Sequence, residues 1–421
     1  MNILDLPIDL LIDYILCYLP VSSLAALSQT CHTLNDVVNH SEALWRRKLI
    51  QDFHFPLTTA RQTGWKLIYR RCQSGSCFVW GSVSCVHAQL AQTRERLVDR
   101  MTHSEAANGR LGFDYTDNRF RRSLIQGGLT VPTRLSLRYP LVSLEASGWA
   151  FHGITTKGTI VSWGTMNGEH FAPPNVPNFY AGKEIQPTEL PQADEMGEIV
   201  QLQAGRAHVL ARNHAGEVFE YRSIGRVQRV LPFSTSRLVK AISAGWDYSA
   251  ALMSDGKVSI WWEIAPFQQG RLAHFAGEGR KPGVMFDITP DTVTLPDLSN
   301  YRTSVCAARE KIEQIACGAG FIIALSSEAN VYHLNINLDP ILPNGQPTRG
   351  QVSDESPSMS QAAIAHLQAL LDTGRRTWQR LDNFSDLSRL ADRQEWQVAK
   401  PDLSVRITHI TAHYMSFAAC Q

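Results

Sequence analysis

The side chains best suited to chemistry are few and scattered. His409 and His413 are four residues apart, so on a strand both imidazoles would share one face and could bind zinc if an acid or thiol joined them. Alternatively, His413 is an ordinary side chain lining the inside of the fold. The eight cysteines form no CxxC pair, and the spacing of Cys72, Cys77 and Cys85 does not fit a zinc knuckle. P-loop, HExxH and GxSxG patterns are missing, so we expect no enzyme activity, no metal and no cofactor.

The charge balance argues against an electrostatic partner. The 421 residues carry 40 basic and 39 acidic side chains, a net charge of +1, so we expect neither nucleic acid nor an anionic membrane as partner. Residues 94–138 are rich in arginine, but interleaved acids favour a solvated loop over a nucleic-acid site. No apolar run reaches the roughly 18 residues of a membrane helix, and the first residues lack the basic start of a signal peptide. These features predict an intracellular protein, in the cytoplasm, the nucleus or both.

The first fifty residues are predicted to form short helices. Leu11, Ile15 and Leu19 recur every four residues, as on the apolar side of an amphipathic helix. Pro7 suits its first turn and Pro20 its end. Three further helices are indicated by capping residues that precede apolar ones: Ser22 or Ser23 before Leu24 and Leu27, Thr30 before Leu34, Val37 and Val38, and Ser41 before Leu44, Trp45 and Leu49. So small a unit buries little surface and usually needs a partner.

The opening segment resembles an F-box. The matching positions are Leu6-Pro7, Asp9, Leu10-Leu11, Ile15, Leu19-Pro20, Leu24, Leu27, Cys31 and Leu44-Trp45. One departure is Leu34, where many F-boxes carry tryptophan. The alternative interpretation is a small helical cap packed on the rest of the chain.

An F-box implies docking on the Skp-type adaptor of an SCF-type (cullin-RING) ubiquitin ligase. The residues expected to contact the adaptor are Leu6, Pro7, Leu10, Leu11, Ile15, Leu16, Leu19 and Pro20. Residues 1–50 would be the F-box and residues 51–75 a helical linker, with a helix around Trp65 and Tyr69.

From residue 76 onward one pattern recurs. Four copies are full length (141–163, 199–221, 238–261 and 311–334), and a fifth, at 405–421, is half length. The aligned anchor positions are Ser147, Gly205, Gly245, Gly318 and His413, each preceded by a small residue, and eleven positions later comes a turn at Gly158, Gly216, Gly256 or Ala329. Most copies follow a Leu-Pro or Val-Pro step, which suits an edge strand, so we expect the strand at the step to begin the unit, followed by two inner strands and a last strand. Each unit therefore predicts one four-stranded blade of a β-propeller.

This unit resembles the repeat of the regulator of chromosome condensation family. The resemblance implies a mainly β propeller over residues 76–421, with five blades recognisable and up to seven expected from the family. Residues 263–310 and 336–404 would be insertions, and a helix is predicted in the second, with Ala363, Leu367, Leu370 and Leu371 in an apolar stripe. That helix could bind a partner, cover the propeller face or pack on its outer wall.

The half-length copy predicts how the propeller closes. Its missing turn and third strand are present near residue 75, in the segment 74–81. Pairing of residues 405–421 with 76–81 would complete the unit and remove a free sheet edge. An average domain size of about 150 residues would divide this chain into three, but the repeats indicate two unequal units instead.

The two units together resemble the fungal SCF-associated factors, which are F-box proteins with condensation-regulator repeats. The resemblance implies a non-catalytic substrate receptor, in which the F-box holds the adaptor and the propeller captures a protein substrate for ubiquitination and proteasomal degradation. The substrate-binding residues are unknown. The alternative is a propeller that acts as a GTPase exchange factor or binds chromatin, which the near-neutral charge does not favour.

Overall fold

The fold is seen in a computed structural model, which describes residues 6–53, 63–74, 76–82, 111–112, 128–148, 150–165, 183–190, 192, 194–223, 226–231, 238–262, 285–298, 310–346, 348, 359–385 and 406–420. The N-terminal helices are α1 (Ile8–Tyr14), a 3-10 turn (Leu16–Tyr18), α2 (Val21–Leu27), α3 (His32–His40), α4 (Glu42–Phe53) and α5 (Trp65–Ser74). A mostly β region follows. The predicted fold class, a small helical unit followed by repeated sheets, is therefore confirmed. None of the described helices is long and apolar enough to cross a membrane.

The helix boundaries differ from the predicted ones at several caps. Proline takes the N-cap of α1 at Pro7 and of α2 at Pro20, so neither Ser22 nor Ser23 caps α2. The predicted cap Thr30 instead donates to Leu27 O at the end of α2, 2.7 Å away, and α3 begins after Cys31. Only the Ser41 cap is confirmed: its hydroxyl accepts from Leu44 N at 3.1 Å.

Helix α5 packs on α4. The Glu42 carboxylate accepts from Gly64 N and Trp65 N, both at 2.9 Å, which satisfies donors at the start of α5. The Tyr69 ring lies 5.1 Å from that of Trp45 and 4.8 Å from that of Phe53, centroid to centroid. The segment predicted as a linker thus contributes a helix to the helical unit.

The strands are β1 (Phe78–Ser82), β2 (Gly128–Arg134), β3 (Leu141–Ala146), β4 (Ala150–Thr155), β5 (Ile160–Thr165), β6 (Lys183–Glu189), β7 (Ile199–Ala204), β8 (Val209–Asn213), β9 (Val218–Ser223), β10 (Arg226–Val230), β11 (Val239–Ala244), β12 (Tyr248–Met253), β13 (Val258–Trp262), β14 (Met285–Ile288), β15 (Thr292–Thr294), β16 (Ile312–Cys317), β17 (Phe321–Ser326), β18 (Val331–Asn335), β19 (Gln379–Arg380), β20 (His409–His413) and β21 (Ser416–Cys420). They form the sheets β3-β4-β5-β6, β7-β8-β9-β10-β14, β11-β12-β13-β15 and β16-β17-β18-β19, with the pairs β1-β2 and β20-β21.

The predicted repeat coincides with the sheets. Each anchor lies at the turn between the first two strands of a sheet, and the residue before it pairs with the residue four places after it: Ala146 with Phe151, Ala204 with Val209, Ala244 with Ser249, Cys317 with Ile322 and Ala412 with Phe417. All five copies share this register. The sequence pattern therefore marks the same hairpin five times.

Aromatic packing explains the anchor glycines. A Cβ built on Gly205, Gly245 or Gly318 would lie 2.2–2.3 Å from a ring atom of the residue three places later, which is His208, Tyr248 or Phe321. At the anchors that are not glycine, Ser147 and His413, the residue three places later is Ala150 or Ser416. Glycine at an anchor thus makes room for a ring of its own hairpin.

Backbone hydrogen bonds connect these hairpins in chain order. Gly148 N donates to Arg206 O at 2.9 Å, Arg206 N to Trp246 O at 3.0 Å, Trp246 N to Gly318 O at 3.3 Å, and Ala319 N to Tyr414 O at 2.6 Å. Consecutive repeats are therefore neighbouring sheets, as in a propeller.

The Leu-Pro steps belong to a different sheet from the one predicted. β6 precedes Leu190-Pro191 and β15 precedes Leu295-Pro296, yet each pairs with the third strand of the sheet before the step, β5 or β13. Leu190 N and Leu295 N donate to Ile160 O and Val258 O, at 2.8 and 2.9 Å. The strand before a step therefore ends one sheet and does not begin the next.

The two predicted insertions contain parts of the sheets. β14 and β15 lie within 263–310, and β19 within 336–404. The predicted helix is α6 (Gln361–Asp372), with Ala363, Leu367 and Leu371 buried and Leu370 half-buried; α7 (Asp382–Ser385) follows. α6 contacts the edge strand β15, which agrees with the outer-wall alternative.

The predicted closing pair is not formed among the described strands. β1 pairs with β2, and β21 pairs with β20. Gly75, Val405 and Gln421 of the segments predicted to pair lie outside the described residues. Closure of the ring stays a prediction.

Candidate docking surface on the helical unit

An apolar stripe is exposed along the first helix. Pro7, Leu10 and Tyr14 are spaced by three and four residues and so share one side of α1, and Tyr18 follows on the 3-10 turn. Leu10 is 45% exposed, Tyr14 72% and Tyr18 66%. We call these four residues the α1 stripe. Large apolar groups that face solvent together mark a surface on which another molecule can pack.

The eight residues predicted to contact an adaptor fall into three groups. Pro7, Leu10 and Pro20 are exposed, Leu6, Ile15 and Leu19 are half-buried, and Leu11 and Leu16 are buried. Leu11 is 2% and Leu16 1% exposed, within the same buried cluster as Leu24. Because Leu11 and Leu16 are buried, they have almost no exposed surface with which to contact an adaptor. Their role is to hold α1 against the core.

Sequence reasoning missed Ile8, Tyr14 and Tyr18 as exposed apolar groups. The repeat Leu11–Ile15–Leu19 marked the side of the helix that faces the interior, and the exposed side is the one beside it. Tyr14 and Tyr18 are also four residues apart, a signal that could have been read as a second apolar stripe.

The core beneath the stripe fixes its position. Leu24, Leu44 and Leu49 are fully buried, and the Trp45 indole donates to Val38 O at 2.6 Å, joining α4 to α3. Helix α1 was predicted to run to Pro20, but it ends at Tyr14 because Ile15 leaves the helical conformation, with φ −128° and ψ −64°. Arg47 on α4 pairs with Asp13 at 2.8 Å and ties the end of α1 to the unit.

Burial makes the ionisable groups of this core unreactive. Desolvation raises the pKa of the Cys17 thiol and raises that of Cys72 to about 11, so both remain protonated at neutral pH. Desolvation, with the Asp52 carboxylate beside the hydroxyl, also raises the pKa of Tyr69. Tyr69 donates to Asp52 at 2.5 Å, and Lys48 pairs with the same carboxylate. These groups support the fold.

Polar side chains buried between the strands make structural contacts. His152 lies between two hydroxyls, 3.2 Å from Ser147 Oγ and 2.8 Å from Ser162 Oγ. Burial lowers its pKa to about 3, so the ring is neutral. A serine–histidine pair of this kind would need an acid to orient the imidazole for nucleophilic catalysis, and the two hydrogen-bond partners that the structure describes for His152 are both hydroxyls.

The anchor turns bring a second set of side chains together. The Arg206 guanidinium lies 5.8 Å from the centroid of the Trp246 ring, and that ring lies 4.5 Å from Tyr414 and 6.1 Å from His413. His413 is exposed, whereas His409 is half-buried and its pKa is lowered by burial. Among the described residues no cluster of three metal-ligating side chains occurs.

Comparison with known protein families finds a match in the helical unit. Residues 3–51 match the family described as F-box-like, a span that includes the α1 stripe and ends within α4. None of the curated proteins compared matches the sequence.

Two solved structures show distant similarity to this chain. Yeast RCC1 (Prp20) bound to Kap60 has 19% identity over 74% of this chain and 61% of that chain, with a TM-score of 0.40. Human WBSCR16 has 13% identity over 75% of this chain and 65% of that chain, with a TM-score of 0.43. This chain thus spans less than two thirds of the length of these proteins. Because both TM-scores are below 0.5, the fold rests on the chain's own sheets. The chain therefore carries an F-box-like segment followed by a β region of repeated sheets.

Proposed function

We propose that this protein is a substrate receptor of an SCF-type ubiquitin ligase. The observation that carries the proposal is the α1 stripe, an exposed apolar surface that lies within the F-box-like segment. A Skp-type adaptor would cover the stripe and connect the chain to a cullin-RING ligase. Covering a fully exposed leucine contributes about 1.5–3 kcal/mol and a half-exposed one about half as much, so the few residues of the stripe together suffice for a specific contact.

The β region would supply the second contact. A rigid set of sheets holds its turns in fixed positions, and turns on such a scaffold are where recognition residues commonly lie. The receptor would act by proximity: it would raise the effective concentration of substrate lysines near the charged ubiquitin carrier. No covalent step is assigned to the chain itself.

The test uses two leucines that differ only in location. Leu10 is the third residue of α1 and 45% exposed, and Leu67 is the third residue of α5 and 47% exposed. Leu10→Asp should abolish co-elution of the full chain with a purified Skp-type adaptor and a cullin fragment, whereas Leu67→Asp should leave it intact. Failure of the unaltered chain to co-elute would refute adaptor docking.

The receptor role needs a second experiment. In cells whose own copy is replaced, ubiquitinated proteins captured with the unaltered chain should be lost with Leu10→Asp, and their total amounts should rise. If Leu10→Asp abolished adaptor binding but changed the amount of no protein, docking would stand and the receptor role would be wrong.

A further inference from the structure

The pair β1-β2 has the register of the outer half of a complete sheet. Between β5 and β6, Ser162 pairs with Thr188 and Gly164 with Glu184, with an irregularity between the two pairs. Between β1 and β2, Val79 pairs with Thr133 and Gly81 with Leu129, with an irregularity at the same place. The bond from Leu190 N to Ile160 O has its counterpart in the bond from Leu135 N to Cys77 O, and both are 2.8 Å. β1 and β2 therefore correspond to the third and fourth strands of a sheet.

The pair β20-β21 has the register of the inner half. Ala412 pairs with Phe417 as Ala146 pairs with Phe151. Its two strands pack on the β16-β17-β18 sheet, where Phe417 and Ala419 contact the cluster of Ile323 and Leu325. β20 and β21 therefore correspond to the first and second strands.

Exposed aromatic residues mark the open side of β1. Phe78 is 49% and Trp80 61% exposed. Their counterparts in β5, Val161 and Trp163, are 6% and 0% exposed. In that complete sheet Phe151 and Trp163 pair across β4 and β5, and their rings stack with centroids 5.7 Å apart.

We propose a thiol site where the ring is predicted to close: β21 pairs antiparallel with β1 in the register of the complete sheets, which sets Cys420 opposite Cys77. By analogy with β4 and β5, Ser416 then faces Gly81, Phe417 faces Trp80, and Cys420 faces Cys77. The Phe417–Trp80 pair repeats the residue types of Phe151–Trp163 at the same positions. Trp80 joins the side of the sheet on which Phe417 already contacts the neighbouring sheet.

This register makes Cys77 and Cys420 a site for disulfide formation. Their counterparts are Ile160 and Ile154, and the carbonyl of Cys77, like that of Ile160, accepts from the fourth strand. The pair is therefore one without mutual backbone hydrogen bonds, whose Cα atoms lie about 4.5 Å apart. That distance is within the roughly 4.4–6.8 Å that a disulfide spans. Both thiols are free, Cys420 exposed and Cys77 half-buried.

Glutathione disulfide is the oxidant class that would seal the pair. The Cys420 thiolate attacks one sulfur of glutathione disulfide and releases one glutathione thiolate. The Cys77 thiolate then attacks the Cys420 sulfur of the mixed disulfide, forms the Cys77–Cys420 bond and releases the second glutathione. Two protein thiols are oxidised and one glutathione disulfide is reduced to two glutathiones. Cys77 lies three residues beyond the end of α5 at Ser74, so the bond would also tie the end of the helical unit covalently to β21.

The test is oxidation of the full-length chain by glutathione disulfide, with the bond identified by mass spectrometry of a non-reduced digest. We expect an intramolecular Cys77–Cys420 link whose yield does not depend on protein concentration. The control, Cys77→Ser with Phe78→Cys, moves the thiol to the opposite face of β1 and should lower the yield at least about tenfold, because the new thiol no longer faces Cys420. An equal yield from the control, no link at all, or a link only between two chains would overturn the proposed register.

A second variant tests closure without oxidation. Trp80→Asp should lower the melting temperature by at least about 4 °C, because closure buries that ring. Ile341→Asp is the matched control, since both residues are 61% exposed, and it should leave the melting temperature nearly unchanged. Equal effects of the two variants would contradict closure by β1.

Discussion

Gly245 allows the packing rule of the repeat to be tested with one added methyl group. A Cβ at Gly245 would lie 2.3 Å from Cε1 and 2.5 Å from Cζ of Tyr248, and the three nearest atoms all belong to that ring. The ring cannot easily move away, because Tyr248 is 2% exposed and its hydroxyl donates to Phe321 O at 2.5 Å. Gly245 is not among the glycines with positive φ. The cost of Gly245→Ala is therefore steric.

We expect Gly245→Ala to lower the free energy of unfolding by about 1–3 kcal/mol, the usual cost of overpacking a dense interior. Tyr248→Ala removes the obstructing ring, so a second change of Gly245→Ala in that background should cost less than about 0.5 kcal/mol. In a Tyr248→Phe background, which keeps the ring, the full cost should remain. Equilibrium unfolding in urea, followed by circular dichroism, measures all the variants. An equal cost in every background would refute the reasoning.

Four further predictions concern the β region, and thermal melts or denaturant titrations check each of them. Ala329 has a φ of 63° where the aligned Gly256 has 87°, so Ala329→Gly should stabilise the protein by up to about 1 kcal/mol and Gly256→Ala should destabilise it by about 1–2 kcal/mol; the opposite signs would contradict the shared turn. Burial holds the pKa of His152 at about 3, below its unfolded value near 6.5. The free energy of unfolding should therefore fall as the pH drops from about 6.5 towards 3. An equally steep fall in a His152→Gln variant would exclude this cause. Ser360 caps α6 by accepting from Ala363 N, so Ser360→Ala should cost about 1 kcal/mol, and no change would mean that the cap contributes nothing. Deleting residues 413–421 should unfold the β region if the ring closes, and a melt identical to that of the full chain would contradict closure.

The repeat could be found from the sequence because its signals are local. The small residue before each anchor, and the turn eleven places after it, both belong to a single hairpin, and hairpin registers recur in all five copies. The role of the anchor glycines could not be found in the same way. It depends on the ring three places later, and that ring varies among histidine, tyrosine and phenylalanine.

The sequence prediction placed the fourth strands in the wrong sheet because a Leu-Pro step does not show whether its strand ends one sheet or begins the next. A proline suits an edge strand on either side of a sheet boundary, and only the bonds from Leu190 N and Leu295 N show which sheet it ends. The strands within the predicted insertions were missed for a related reason. β14 and β15 are short and pair with strands distant in sequence, so no local periodicity marks them.

In the helical unit the sequence predicted an apolar first helix, but not which of its apolar residues face the core. The spacing of Leu11, Ile15 and Leu19 correctly indicated an amphipathic segment, but an apolar side can face the core or a partner. The core of the folded unit takes Leu11 and Leu16, and leaves Leu10 and Tyr14 outside. Only the packing of α4 against α1 decides between the two, and the sequence of the first helix alone does not show that packing.

The affinity of the full chain for a purified Skp-type adaptor tests the central claim most directly. The informative quantity is the dissociation constant of Leu10→Asp divided by that of Leu67→Asp, because the two changes match in chemistry, exposure and helical position. Placing an unpaired carboxylate beneath the adaptor costs more than about 1.4 kcal/mol, which predicts a ratio of at least about ten. A ratio near one, with the unaltered chain binding well, would show that the adaptor does not use the α1 stripe.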